Sequence, residues 1–386
     1  MIRKLPIVAS PIRIGDIFSL SSLSRKELIE AILELAGTKY LYFTNSATSS
    51  FYVILEALKK LGSKKEVVLP AYTASSLIYA VKKARLKPVL CDISLDDYNM
   101  DKGLLGETLS SDTLCIVCVH MFGIPQRGVL EKKDHPGIFV IEDCAQAMGT
   151  KVDDSRVGNL GDISFFSFNR GKNIPSYGGG CIATNHEEIS RVLTVVLQEM
   201  GIPGKRVSAD IAVAFKMLAF SAVVNPWIYG IFYPLISGFK EVPSPEDFKI
   251  ADYSDFQSKI AYLLLQRIED FSEKRYSNAM RLIEGLKDIE GILLPKIPKD
   301  CRPAFNRLPI VFRDSEKRQE AQKRLCKAGI ESSRMYYKPL HHAFELGYGR
   351  DKFPNAVYFA EHLLTLPVHP LVKEKDLTKT IETLHR

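Results

Sequence analysis

Residues 162–180 read DISFFSFNRGKNIPSYGGG, a stretch that sets one lysine between an apolar run and three consecutive glycines. The aromatic-rich run 163–168 has the length and composition of a buried strand, and the polar NRGKN after it leaves that strand for a loop. Lys172 is therefore expected at a strand end. Gly178, Gly179 and Gly180 allow positive φ or a close backbone approach before residues 181–183 resume as a strand. A P-loop is excluded, because Phe166 stands where its first glycine belongs and Asn173 follows the lysine in place of Ser or Thr. Taken alone, Lys172 reads equally well as a solvated loop lysine.

Its company upstream decides otherwise. Residues 138–141 form another apolar run, ending in Glu142-Asp143-Cys144-Ala145-Gln146. An acid at the carboxyl end of a strand in an α/β sheet faces the crevice where such sheets bind ligands. Further back, LYFTNSATSS (41–50) precedes a helical pattern, so hydroxyls and free backbone N–H groups gather at a helix N-terminus suited to a phosphate. An amine, a strand-end acid and a phosphate cradle are what pyridoxal phosphate requires.

Strands expected at 66–69, 88–93, 114–120, 138–143 and 163–168 alternate with helices at 50–60 and 75–84, which argues for an α/β sheet covered on both faces. The expected organisation is a large domain over 1–255 with an apolar insert at about 209–239, one long linking helix over 256–288, and a smaller C-terminal domain over 289–386 with strands at 308–312 and 329–336. A net charge of +7, spread along helices, does not make a nucleic-acid stripe, and no secretory leader is legible in residues 1–18. Cytoplasmic placement is expected. Seven cysteines in mostly apolar surroundings read as reduced thiols. Cys115 and Cys118 have the spacing of a metal pair, but a strand puts them on opposite faces, so no metal is expected.

Along the chain, in order, stand Asn45-Ser46-Ala47-Thr48, Pro70-Ala71-Tyr72-Thr73, Pro88-Val89-Leu90-Cys91-Asp92-Ile93, Val119-His120-Met121-Phe122-Gly123 and Ile141-Glu142-Asp143-Cys144-Ala145-Gln146. They are followed by Gly158-Asn159-Leu160-Gly161-Asp162, Phe166-Ser167-Phe168, Lys172-Asn173, Ser254-Asp255-Phe256-Gln257, Pro339-Leu340-His341 and Leu366-Pro367-Val368-His369-Pro370. In this register the chain resembles the DegT/DnrJ/StrS family of pyridoxal-phosphate-dependent sugar aminotransferases, of fold-type I, everywhere except about 192–250. The resemblance implies a mixed, mostly parallel seven-stranded sheet between helices, a smaller C-terminal α/β domain and a homodimer. It places the Schiff-base lysine on Lys172, the pyridine-nitrogen acid on Asp143 and cofactor contacts on Ser46, Ala47, Thr48, Tyr72, Gln146 and Ser167. The implied reaction passes an amino group from an amino acid, glutamate foremost, to a keto group of a nucleotide-linked sugar in glycan biosynthesis. Tyr336, Lys338, His341 and His342 are candidate contacts to the nucleotide. Two alternatives stand beside this: a related lyase or dehydratase, and a non-catalytic regulator that kept the fold.

The chain departs from the family pattern at four places. Ala74 replaces a stacking aromatic, Ile250 and Asp252 stand where relatives carry an asparagine and an arginine, and Met335 replaces a histidine. Residues 217–239, MLAFSAVVNPWIYGIFYPLISGF, hold no charge and are long enough to span a bilayer, but Pro226 and Pro234 break helical bonding and both flanks must return to one sheet. Two short helices split near Pro226 are expected, either packed over the dimer and active-site mouth or dipping into a membrane surface.

Overall fold

Residues 3–9, 11–12, 15–16, 23–126, 135–201, 211–217, 219, 224–237 and 246–386 are described by the computed structural model. Helix α1 (Arg25–Ala36) starts at a capping box between Ser24 and Glu27. Strand β1 (Tyr40–Thr44) comes next, and helix α2 (Ala47–Leu61), strand β2 (Glu66–Pro70), helix α3 (Ser75–Lys83) and strand β3 (Lys87–Cys91) then follow the alternation expected from sequence. Strands β4 (Thr113–Val119), β5 (Phe139–Asp143), β6 (Ile163–Ser167) and β7 (Gly180–Thr184) complete a sheet of order β1-β7-β6-β5-β4-β2-β3. The pairs β3–β2, β2–β4, β4–β5 and β5–β6 are parallel. Only β7 runs against its neighbours, β6 and β1. Strands buried on both faces read as unbroken apolar runs, which is why these were legible. Cys115 and Cys118 of β4 point into different clusters on the two faces, as strand alternation requires.

This topology brings several chain ends to one edge of the sheet. Gly180, at the start of β7, lies level with Thr44, the last residue of β1, and with Ser167, the last of β6. Asp143 ends the adjacent β5. Helix α4 (Glu187–Glu199) and helix α5 (Pro226–Ser237) come next; the latter begins on a proline, whose missing N–H costs nothing at a first helical turn. Residues 211–217 are also helical, so the split near Pro226 stands, while residues 209–210, 218, 220–223 and 238–240 of the apolar region lie outside the described residues. No helix among the described residues is long and apolar enough to cross a membrane.

The expected single linking helix is two helices, α6 (Asp255–Leu265) and α7 (Ile268–Leu286). The break falls at Gln266 and Arg267, where the Arg267 amide turns back to Leu264 in a three-residue step and its guanidinium is drawn to Asp16 at 2.8 Å. The C-terminal part builds a three-stranded antiparallel sheet from β8 (Ile292–Leu293), β9 (Leu308–Phe312) and β10 (Leu363–Leu366), with β9 central. Helices α8 (Ser315–Lys327), α9 (Pro354–His362) and α10 (Glu374–His385) cover it. Residues 329–336 do not form the expected strand; they make isolated bridges, Ile330 to Leu5 and Ser333 to Thr365. The N-terminal residues 3–9 thus pair with the C-terminal sheet's surroundings: the Leu5 amide donates to Gly329, and the Leu5 carbonyl accepts from Glu331.

Candidate active site

The loop after β6 carries Lys172 back across the sheet edge. Tyr177 adopts φ 59°, and Gly178 and Gly179 follow at φ 144° and 97°, so the glycines supply the left-handed turns that return the chain to β7. Their missing side chains matter as much as their dihedrals. A Cβ on Gly179 would meet the Tyr253 ring at 2.1 Å, and one on Gly180 would meet the Ala47 nitrogen at 2.6 Å. The loop is pinned from outside by α6 and the residue before its cap. Tyr253 shares a short hydrogen bond with the Ser176 hydroxyl, and Gln257 donates to the Ser176 carbonyl at 2.9 Å. On the other side, the Asn173 amide donates to Met148 and Ala304.

Opposite this loop, Ser46 caps α2, its Oγ accepting from the Ser49 amide at 3.1 Å. The Ala47 and Thr48 N–H groups have no acceptor among the described residues, leaving two donors at the positive end of a helix. Ser167 is buried with its Oγ bonded only weakly, at 3.4 Å from the Asn169 amide. Gly180→Ala is expected to push the backbone of residues 46–47 outward and weaken phosphate retention at least about tenfold, with a stability loss of about 1–3 kcal/mol typical of overpacking. Equilibrium dialysis against pyridoxal phosphate, beside a thermal melt of the apo protein, separates the two effects.

Lys172 is partly buried with its amine desolvated; burial, opposed by the Asp143 carboxylate and aided by the Arg307 charge, pulls its pKa down to about 8. Asp143 is pushed up by burial, while the Ala145 N–H at 2.9 Å, Lys172 and His120 act in the opposite sense. Behind it, His120 Nδ1 accepts from the Gln126 amide at 3.1 Å, so its proton is on Nε2, which donates to Glu142 at 3.1 Å. Glu142 also accepts from the amides of Gly158, Leu160 and Gly161, which explains why that glycine-flanked motif follows a strand end. His120, Glu142 and Cys144 cluster closely enough to hold an ion, yet the Glu142 oxygens are already taken by four donors.

The other candidates divide. Gln146 is held by Phe122 and Asn306, with its Nε2 on Met121 Sδ, so its amide positions the loop over β5. Tyr72 is fully enclosed, and its hydroxyl bridges the backbone of Arg334 and Tyr336. It acts as a strut between the sheet edge and the MYYKPLHH segment. Of that segment, Tyr336 is electrostatically coupled to Asp143; burial raises its hydroxyl. Lys338 is exposed, and His341 and His342 both donate to the Arg350 carbonyl.

Arg307 escaped the sequence reading. It stands just before β9, its charge is felt by Lys172, Tyr336 and Tyr72, and burial lowers its pKa. One NH group reaches Ser333 at 3.4 Å, its Nε is buried without a partner, and among the described residues no carboxylate forms an ion pair with it. A lone arginine beside an apolar strand, 135 positions from Lys172 in the chain, carries no local signal of this placement.

The alignment of the chain with a known family spans residues 20–225 and 250–385. The chain belongs to the DegT/DnrJ/EryC1/StrS aminotransferase family. Members of this family are pyridoxal-phosphate-dependent. Among curated relatives, the spore coat polysaccharide biosynthesis protein SpsC of Bacillus subtilis is 27% identical, over 90% of this chain and 85% of that one. The dTDP-3-amino-3,6-dideoxy-alpha-D-galactopyranose transaminase of Aneurinibacillus thermoaerophilus is 25% identical, over 91% and 86%. The fold is that of the E. coli GDP-4-keto-6-deoxy-D-mannose-3-dehydratase solved with hydrated PLP, at TM-score 0.78 and 18% identity over 99% of both chains. The donor set here fits the cofactor: free amides at a helix start, a close-approach glycine pair, a desolvated amine and a strand-end carboxylate.

Proposed function

We propose that this aminotransferase moves an amino group from an amino acid, glutamate foremost, to a keto carbon of a nucleotide-linked sugar, in the assembly of a surface polysaccharide or another glycan. What carries the reading is the Lys172 amine, tuned toward neutrality by burial, facing Asp143 across the end of β5. Bound there, pyridoxal phosphate supplies an electron sink for the carbon that gains or loses nitrogen. Ser46, Ser167 and the amides of Ala47 and Thr48 would hold its phosphate, Asp143 its ring nitrogen and Lys172 its carbonyl carbon. A protonated ring nitrogen beside Asp143 favours the carboxylate form that burial alone disfavours. Near pH 8 the Lys172 Nζ exists in both protonation states, so it can take a proton from the substrate carbon and return one. Lysine at this position, where some members carry histidine and dehydrate their sugars, favours transamination.

The planar fork of Arg307 suits the carboxylate of the amino donor. Arg307→Gln should raise KM for glutamate about 10- to 100-fold, as loss of a charged hydrogen-bond partner does, with a smaller change in kcat. Because the Arg307 charge lowers the Lys172 pKa, removing it should also move the alkaline rise of the pH profile upward from about 8. An unchanged KM and pH profile would remove Arg307 from the site. The overall reading is tested by loading the protein with cofactor and adding glutamate: release of 2-oxoglutarate supports it, whereas sugar dehydration without amino transfer supports the lyase alternative. No reaction with any amino acid leaves the regulator.

The protein is further proposed to be a cytoplasmic homodimer with its active site at the subunit boundary. Closed two-fold dimers are the commonest soluble assembly, and all seven cysteines are free, six of them buried, as suits a reducing compartment.

A further inference from the structure

Helix α5 contains no charged residue across PWIYGIFYPLIS. Its inner side is tied to the protein: the Lys4 amide donates to the Pro226 carbonyl at 2.7 Å, the Lys4 amine lies 3.7 Å from the Tyr233 ring centre, and the Tyr229 hydroxyl donates to Glu331 at 2.7 Å. Its outer side is uncovered among the described residues. Trp227, Ile231 and Leu235, spaced four apart along one stripe, are exposed by 58%, 63% and 66%, with Phe232 beside them. Ile211 and Phe215, one turn apart in the preceding helical residues, are equally open. Apolar surface of this extent calls for an occupant.

The charges around the helix identify that occupant. A cleft of about 500 Å³ beside Tyr233 is lined by Lys4, Arg318, Lys323 and Arg334, against the single acid Glu331, which already accepts from Tyr229 and the Ile7 amide. A second, of about 390 Å³ beside Pro226 and Trp227, is lined by Arg3, Lys373 and Lys375, and its one acid, Asp376, pairs with Arg3 at 2.6 Å. Both ends of an uncharged, aromatic-bearing helix are therefore flanked by surplus cations. A second copy seated on this face by two-fold symmetry would bring like charge against like. An apolar strip rimmed with cations is complementary instead to a layer whose interior is hydrocarbon and whose surface is anionic.

We propose that α5 lies in the plane of an anionic lipid bilayer and seats this protein on the membrane surface, with Trp227, Ile231 and Leu235 below the headgroups and the two basic clefts against them. The proposal is independent of the reaction assigned above. Trp227 is the chain's only tryptophan, so its fluorescence reports the contact directly. The cofactor-loaded protein is titrated with vesicles of phosphatidylcholine alone and of phosphatidylcholine mixed with phosphatidylglycerol, with and without brominated chains, and then floated on a density gradient. Expected are a blue shift, quenching by bromine and flotation with the anionic vesicles, all weakened by salt. Ile231→Glu with Leu235→Glu should lower the bound fraction about tenfold or more, as should Lys323→Glu with Lys375→Glu, while cofactor absorbance and oligomeric state stay unchanged. Unshifted emission with no flotation at low salt overturns the proposal, as does undiminished binding by the doubly acidic helix. If the wild type never floats and the helix variant dissociates a larger assembly, the face belongs to a second copy.

Discussion

Lys172→Ala should bind pyridoxal phosphate, yet show no borohydride-fixable bond to it and no measurable amino transfer. The amine has two duties in the proposed chemistry, covalent capture of the cofactor and movement of a proton at the substrate carbon, and alanine removes both. Loss of a positioned acid–base group alone costs about 10²- to 10⁴-fold, so the combined loss should exceed that range. Retention of the cofactor is expected because the phosphate donors at Ser46, Ala47, Thr48 and Ser167 are untouched, and because Asn173, Tyr253 and Gln257 continue to hold the loop. Lys172→Arg keeps a cation but cannot be neutral near pH 8, so it should fail in the same way. Added methylamine partially restoring the alanine variant would identify the missing group as an amine. A reducible bond in the alanine variant would instead move the covalent role to another lysine.

The central parallel strands were legible because they are buried on both faces and read as apolar runs ending in polar residues, and the acid and lysine stand at or after such ends. The glycine triplet was legible as a close approach, although not what it approaches: Tyr253 and the start of α2 come from residues far away in sequence. Positions set by tertiary contact were hidden. The break between α6 and α7 lies beside a salt bridge from Arg267 to Asp16, 251 positions away in the chain, and residues 329–336 lack a continuous partner and bridge only at single positions. Arg307 was invisible because what marks it is its burial within electrostatic reach of Lys172 and Tyr336, which no local pattern encodes.

Two departures from the family pattern also acquire an account. Asp252, where the resemblance implies an arginine, is gripped by both terminal nitrogens of Arg25 at 2.7 Å, and Arg25 lies 5.0 Å from the Phe43 ring centre. The Arg25 guanidinium thus ties the start of α1 to the segment before α6. Around Ile250, Asn45 exchanges hydrogen bonds with the backbone of Lys249 and Ala251, stitching this segment to the phosphate-side loop of the same chain. Asn45 is therefore joined to residues 249–251 by one backbone bond and two bonds of its own side chain, all within the same chain. Nothing in the structure explains the replacement at Ala74, which caps α3 without a side-chain bond.

Asp143→Asn should separate the electronic role of the acid from its effect on the lysine. In the wild type the Asp143 carboxylate raises the Lys172 pKa against the pull of burial and Arg307, and the balance rests at about 8. Removing the negative charge leaves the two lowering influences unopposed, so the rate of cofactor capture, which needs neutral amine, should reach its plateau at lower pH than in the wild type. Capture at pH 7 should accordingly be as fast or faster. Turnover should fall instead, by about 10²- to 10³-fold, as expected for loss of a preorganised charge facing the reacting system. The opposite signs of the two effects make the test specific, since general damage to the site would slow both. Stopped-flow capture across pH 6–10, set beside the glutamate half-reaction, measures them together. A capture midpoint shifted upward, or a half-reaction that proceeds at the wild-type rate, would show that Asp143 does not face the bound ring.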